Sequence, residues 1–151
     1  MTFLSANPLA GTSPTQEVEV RSLLERHGLR ATRPRISLAK MIFGKGSRHV
    51  TADQLVAEAK KARAFVSLAT VYNVLHLFTD VGLVRCFAVE GGKTIFDTNI
   101  RDHCHFYFED TGAVEDEIAT TTTFFEQFRP PEGFEITGVD VVIKLRSAAP
   151  P

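Results

Sequence analysis

Apolar residues recur at helical spacing through the first half of the chain and at strand spacing beyond it. Val20, Leu23, Leu24 and His27 line one face of an expected helix from Gln16 to His27, with Gly28 as a natural stop. A second helix is expected to open near Thr32, with Pro34 in its first turn, where a missing N–H leaves no bond unmade. Its buried stripe is Ile36, Ala39, Ile42 and Phe43, and Gly44 ends it. A third helix starts at Thr51, because Thr51 and Gln54 have the spacing of a capping box; Leu55, Val56 and Ala59 face inward. A fourth runs from Ser67 to Gly82 on the stripe Val71, Val74, Leu75, Phe78 and Val81.

Two short strands then flank a Gly91-Gly92 turn, one from Leu83 to Val89 and one from Lys93 to Asp97, which is the pattern of a β-hairpin. Helices followed by a hairpin is the order of a winged helix. Past residue 98 the pattern changes. His105 to Phe108 reads as a strand, Asp110 to Gly112 as a turn, and Ala113 to Glu115 as a second short strand. Ile118 to Phe128 reads as a helix with Phe124, Phe125 and Phe128 inward, although the threonines at 120–123 are poor helix formers. Pro130, Pro131 and Gly133 mark a loop, and Phe134 to Leu145 a last strand. The expected fold class is α+β: a disordered tail over 1–15, a winged helix over 16–92, and a small α/β domain over 93–146. A segment this small and this rich in Phe is poorly stable alone, and pairing with a second copy would bury its apolar face.

Composition narrows the class. The chain has 151 residues, 44% of them hydrophobic, enough for one ordinary core or two small domains. No apolar run approaches the roughly 20 residues that span a bilayer, and residues 1–15 lack a basic start followed by an apolar block. A cytoplasmic location without a membrane partner is expected. The cysteines are Cys86 and Cys104, so neither a disulfide framework nor a four-cysteine zinc site within one chain is expected. The net charge of −1 hides an asymmetry: residues 1–92 hold 12 Lys and Arg against 7 Asp and Glu, and residues 93–151 hold 5 against 11. A basic half joined to an acidic one fits a nucleic-acid-binding module followed by something else. Chance variation in surface charge fits equally well.

In a helix-turn-helix reader the second helix of the motif enters the major groove. The fourth helix has that place, and its early outer positions are Ser67, Ala69, Thr70, Tyr72, Asn73 and His76. Ser67 and Thr70 suit phosphate, Ala69 and Thr70 a thymine methyl, and Asn73 a bidentate pair with adenine. Tyr72 offers a hydroxyl to phosphate and a ring to a base methyl. Arg30, Arg33 and Arg35 suit the DNA backbone or minor groove. An ordinary solvated helix face has the same spacing; helix order, hairpin and charge bring the two readings level. Further on, His103 and His105 stand at i and i+2 on an expected strand, which places both imidazoles on one face, and imidazole binds first-row metals. Two surface histidines beside a turn is the competing reading. Cys104 falls on the opposite strand face, and Cys86 reads as packing.

The run Gly28-Leu-Arg30-Ala-Thr32-Arg-Pro34-Arg35 resembles the opening of the DNA-binding domain of ferric uptake regulators. Val66-Ser-Leu-Ala-Thr-Val-Tyr72-Asn-Val-Leu, continuing to Val81-Gly-Leu-Val84, resembles their recognition helix and the entry to the wing. Phe96-Asp97 followed by His103-Cys104-His105 sits where that family carries its histidine-rich metal segment. The resemblance covers residues 17–145. It implies a dimeric, metal-responsive transcription regulator, with an N-terminal winged helix and a C-terminal α/β dimerisation domain. It also implies a site made by His49 (expected in the loop before the third helix), Asp97, His103 and His105, for zinc, iron or manganese. Asp116 is the nearest match to a further acidic ligand of the family. The set draws on both halves of the chain.

The sequence also departs from the family. The first of its two Cys-x-x-Cys pairs falls on Phe108 and Thr111, and no cysteine follows Cys104, so that structural zinc site is not expected. The second, sensory site keeps Asp102 and Cys104 in two positions but has no later histidine. The arginine usual after the recognition-helix tyrosine is Asn73, which implies a different operator preference. These losses resemble the iron response regulator branch, which responds to haem, and make His103, Cys104 and His105 candidate haem ligands. The expected function is therefore a homodimeric regulator, a repressor of many targets, that binds a double-stranded DNA operator in response to iron or haem. Zinc-, manganese- or peroxide-responsive regulation is the alternative. A metalloenzyme built on His103, His105 and Asp97 is a third reading, but no suitable glutamate motif or nucleophile accompanies them, and no enzyme is expected.

Overall fold

A computed structural model describes residues 14–117 and 126–148. Most of the expected tail, and residues 118–125 of the helix expected to end at Phe128, lie outside them. The chain divides into two compact units. One runs to Ala88 and resumes over Gly92–Ile100; the other holds Val89–Gly91 and the chain from Arg101 onward.

The first unit contains α1 (Pro14–Arg26), α2 (Arg33–Phe43), β1 (His49–Val50), α3 (Ala52–Lys61), α4 (Leu68–Asp80), β2 (Arg85–Ala88) and β3 (Thr94–Asp97). Helix α1 thus starts two residues earlier than the hydrophobic stripe suggested. The stripes meet in one core, where Val20, Leu24, Leu38, Ile42, Leu55, Leu75 and Phe78 are wholly buried. Each such side chain contributes roughly 1.5–3 kcal/mol of transfer free energy. Local chemistry sets the helix ends. The Thr51 hydroxyl accepts from Gln54 N while the Gln54 side chain accepts from Thr51 N, which completes the capping box of α3. Gly82, at φ +74°, lets the chain turn after α4 so that Leu83 N reaches the Phe78 carbonyl at 2.8 Å.

The wing is a three-stranded antiparallel sheet in the order β1-β3-β2. Cys86 faces Phe96 across β2–β3, Val50 faces Phe96 across β1–β3, and a short turn over Glu90–Gly92 joins the hairpin. Two expectations change here. His49 lies on a strand, not in a loop; two residues carry no alternation to read, and pairing with β3 defines the strand. The boundary expected between 92 and 93 separates β2 from β3, yet β3 is hydrogen-bonded on both sides, so Gly92–Ile100 stay with the first unit.

The second unit holds β4 (Cys104–Phe108), β5 (Ala113–Glu117) and β6 (Val141–Leu145), in the order β5-β4-β6. Strands β4 and β5 are antiparallel around a turn closed by Gly112 N on the Phe108 carbonyl; β4 and β6 are parallel. Strand β5 reaches two residues past the expected end, through Asp116 and Glu117, whose acidic side chains hide a strand from propensity reasoning. The last strand starts at Val141, not Phe134. Phe134 and Ile136 precede it as exposed residues of irregular chain. Glu126 and Gln127 form a turn and Phe128 is exposed, so the expected helix does not reach its predicted end. Among the described residues no helix is long and apolar enough to cross a membrane.

Candidate metal centre and reading helix

In the first unit, the pairing of β1 with β3 sets His49 directly opposite Asp97. Asp97 is 1% exposed, and its Oδ1 accepts from Asn99 N at 2.8 Å. Its Oδ2 lies 3.6 Å from His49 Nε2. That gap is long for a hydrogen bond. It matches the edge of a coordination polyhedron, about 3–3.6 Å for metal–ligand bonds near 2.1 Å. The His49 ring stands edge-on to Phe87 of β2, with centroids 6.4 Å apart.

In the second unit, His103 and His105 share one face as their i, i+2 spacing requires, with ring centroids 4.2 Å apart and both side chains buried. Asp116 is paired with His105 across β4–β5. Its Oδ1 lies 3.1 Å from His103 Nε2 and 3.8 Å from His105 Nε2. The far side of the His103 ring explains what that oxygen meets. His103 Nδ1 donates to the Arg101 carbonyl at 2.7 Å, and a carbonyl can only accept, so Nδ1 carries the ring proton. In neutral imidazole Nε2 is then a lone pair, and it faces a carboxylate. Two acceptors meet stably only with a cation or a proton between them. Imidazole and carboxylate donors at these separations fit zinc, iron(II) or manganese. Cys104 lies between the two histidines in sequence, and strand alternation turns its buried side chain to the opposite face.

Helix α4 is divided lengthwise. Val71, Val74, Leu75 and Phe78 are buried, whereas Ala69, Tyr72, Asn73 and His76 are exposed. Ser67 is the N-cap: its Oγ accepts from Thr70 N at 3.1 Å and lies 2.9 Å from Thr70 Oγ1. Both hydroxyls expected to bind phosphate therefore also have a structural duty. Tyr72 stacks on His76 (centroids 6.1 Å, 20° between planes), and His76 stands edge-on to Phe96 of β3 at 6.0 Å. Sequence spacing gave no sign of that chain of rings. Arg30 and Arg33 are exposed just before and at the start of α2, and half-buried Arg35 donates to the Arg30 carbonyl at 2.9 Å.

The ferric uptake regulator family profile matches residues 26–143. Over 127 residues the chain is 31% identical to the ferric uptake regulation protein of Pseudomonas aeruginosa, covering 83% of this chain and 95% of that protein. It is 36% identical over 92 residues to the ferric uptake regulation protein of Shigella flexneri, 60% of this chain and 62% of that protein, so the match there spans less than two thirds of the relative. The structure of the Pseudomonas aeruginosa regulator with manganese superposes with a TM-score of 0.68 at 29% identity, covering 86% of this chain and 98% of that one. The chain belongs to the ferric uptake regulator family.

Proposed function

We propose that the protein is a metal-responsive, DNA-binding transcription regulator. Helix α4 reads the major groove through Ala69, Thr70, Tyr72 and Asn73, while Arg30, Arg33, Arg35 and Ser67 hold the DNA backbone. Divalent ions held by the His49–Asp97 pair of the first unit and by His103, His105 and Asp116 of the second set the affinity. The observation that carries the reading is the position of one donor pair. His49 and Asp97 lie on β1 and β3 of the wing sheet itself, and the same β3 supplies Phe96 to the His76–Tyr72 stack on α4. Filling or emptying that pair acts on strands that brace the reading helix. The second unit serves as the dimerisation domain, and a second copy covers apolar residues such as Ile143.

A haem-responsive member of the iron response regulator branch is the second reading, favoured by the absence of the Cys-x-x-Cys pairs. The divalent reading ranks first because the Nε2 atoms of His103 and His105 lie near one carboxylate oxygen, an ion-sized arrangement. Catalysis has less support: Asp97, His103 and His105 are nearly fully buried, and an enzyme's metal needs an open position that substrate can reach.

The test is selection from a random-sequence duplex pool with manganese or zinc, with haem, and with chelator. The expected result is sequence-selective binding that changes about tenfold or more when the divalent ion is chelated, and a loss of that response in His103→Ala. A Soret shift on haem addition with no divalent response would favour the second reading. No preference for any duplex under any condition would overturn both.

A further inference from the structure

The turn joining α3 to α4 has two features that the core does not explain. Arg63 adopts φ +55°, the one positive φ outside glycine among the described residues. It stands where helices commonly place glycine: Ala64 N reaches back to the Ala59 carbonyl at 2.9 Å and Arg63 N to the Lys60 carbonyl at 3.2 Å. Two residues on, Phe65 is 91% exposed, more than any other large hydrophobic residue among the described ones. A left-handed non-glycine residue carries a cost, and the bare ring beside it offers an apolar face to a partner.

The surroundings say what the partner is. Lys60, Lys61 and Arg63 are all exposed, and none has an acidic partner among the described residues. From Ala59 to Thr79 the sequence has no Asp or Glu. The segment runs directly into Ser67, the cap of the reading helix. A cationic, acid-free turn continuous with a DNA-reading helix is complementary to a phosphate backbone. A ring beside those cations has a sugar face to pack on.

We propose that this turn is a second DNA contact. Lys60, Lys61 and Arg63 neutralise phosphates of the strand next to the groove that α4 enters, and Phe65 packs on a deoxyribose between them. The contact is blind to sequence, so it sets affinity and salt dependence, not operator choice. It rests on the DNA-binding reading above.

The experiment measures fluorescence anisotropy on two probes, a random-sequence duplex pool and the sequence that wild type enriches from it, across a salt series with manganese present. The variants are Lys60→Ala/Lys61→Ala, Arg63→Gly and Phe65→Ala, with Asn73→Ala as the reading-helix control. The cation variants should weaken both probes by the same factor and flatten the plot of log affinity against log salt by about 1 for each cation removed. Phe65→Ala should weaken both probes several-fold and leave the slope unchanged. Arg63→Gly, which relieves the backbone, should melt no lower than wild type, so its weaker binding is not a folding defect. If all three match wild type in affinity and slope while Asn73→Ala loses sequence preference, the second contact is wrong and the reading helix stands. If wild type binds neither probe, the DNA-binding reading has failed, and this contact with it.

Discussion

His49 stands directly opposite Asp97 across the β1–β3 ladder, with Nε2 3.6 Å from Oδ2. The separation suits two ligands on one ion, and Asn99 N already holds the other Asp97 oxygen in place. Asp97→Asn keeps the shape and an oxygen for Asn99 but removes the charge. It should lower zinc or manganese affinity about tenfold or more and leave the melting temperature of the metal-free protein near that of wild type. Competition against a chromophoric chelator reads the affinity directly, and unchanged affinity would remove Asp97 from the ligand set.

Glu58 ties α3 to the start of the wing. Its carboxylate accepts from Arg48 Nη2 at 2.6 Å and Lys45 Nζ at 3.1 Å, and Arg48 also donates to the Met41 carbonyl. The Arg48 hydrogen bond, helped by Lys45 and opposed by burial, holds the Glu58 pKa below its ordinary value. A depressed folded-state value means stabilisation that is complete above the unfolded pKa, about 4.3, and is lost as pH falls through the folded one. Glu58→Gln should therefore cost about 1 kcal/mol at neutral pH, discounted for partial exposure. The cost should shrink in acid below about pH 4. Urea unfolding of both proteins at the two pH values gives the difference, and a cost that persists in acid would refute the charged-pair account.

Ser67 caps α4 and is also proposed to bind phosphate. Two substitutions separate the roles. Ser67→Ala removes the cap and should destabilise the protein by about 1 kcal/mol. Ser67→Asp keeps a good cap, so stability should hold, but it adds a negative charge beside DNA phosphates and should weaken duplex binding about tenfold or more. If Ser67→Asp binds duplex as wild type does, the start of α4 does not face DNA.

The helices of the first unit were legible because their signals are local: a stripe at helical spacing, Thr51 with Gln54, Pro34 after Thr32, Gly82 past Val81. The i, i+2 spacing also put the two imidazoles side by side, although His103 lies just before β4 and only His105 is on the strand. What sequence missed depends on pairing at a distance. His49 becomes a strand residue only by bonding to β3, nearly fifty residues on. Asp116 was matched only by the resemblance, and its 3.1 Å approach to His103 follows from the β4–β5 register, which an acidic strand does not announce. Phe134 and Ile136 read as strand from composition, and they lie in irregular chain because composition does not say which segment finds a neighbour.

Asn73 is where operator preference should be most sensitive. It is exposed on α4 one residue after Tyr72, whose ring is held by His76 and, behind that, Phe96. An amide that reaches the major groove can pair with adenine N6 and N7, and such a pair discriminates by about 1–3 kcal/mol. Asn73→Ala should thus lose roughly tenfold in preference for the selected duplex over the random pool, with the salt slope unchanged because no cation is removed. Asn73→Arg should do more than weaken the contact. A guanidinium matches O6 and N7 of guanine, so a fresh selection with this variant should return guanine where wild type returns adenine. Sequencing the enriched pools decides it: if both proteins select the same base at every position, Asn73 does not contact a base edge, and specificity lies elsewhere on α4.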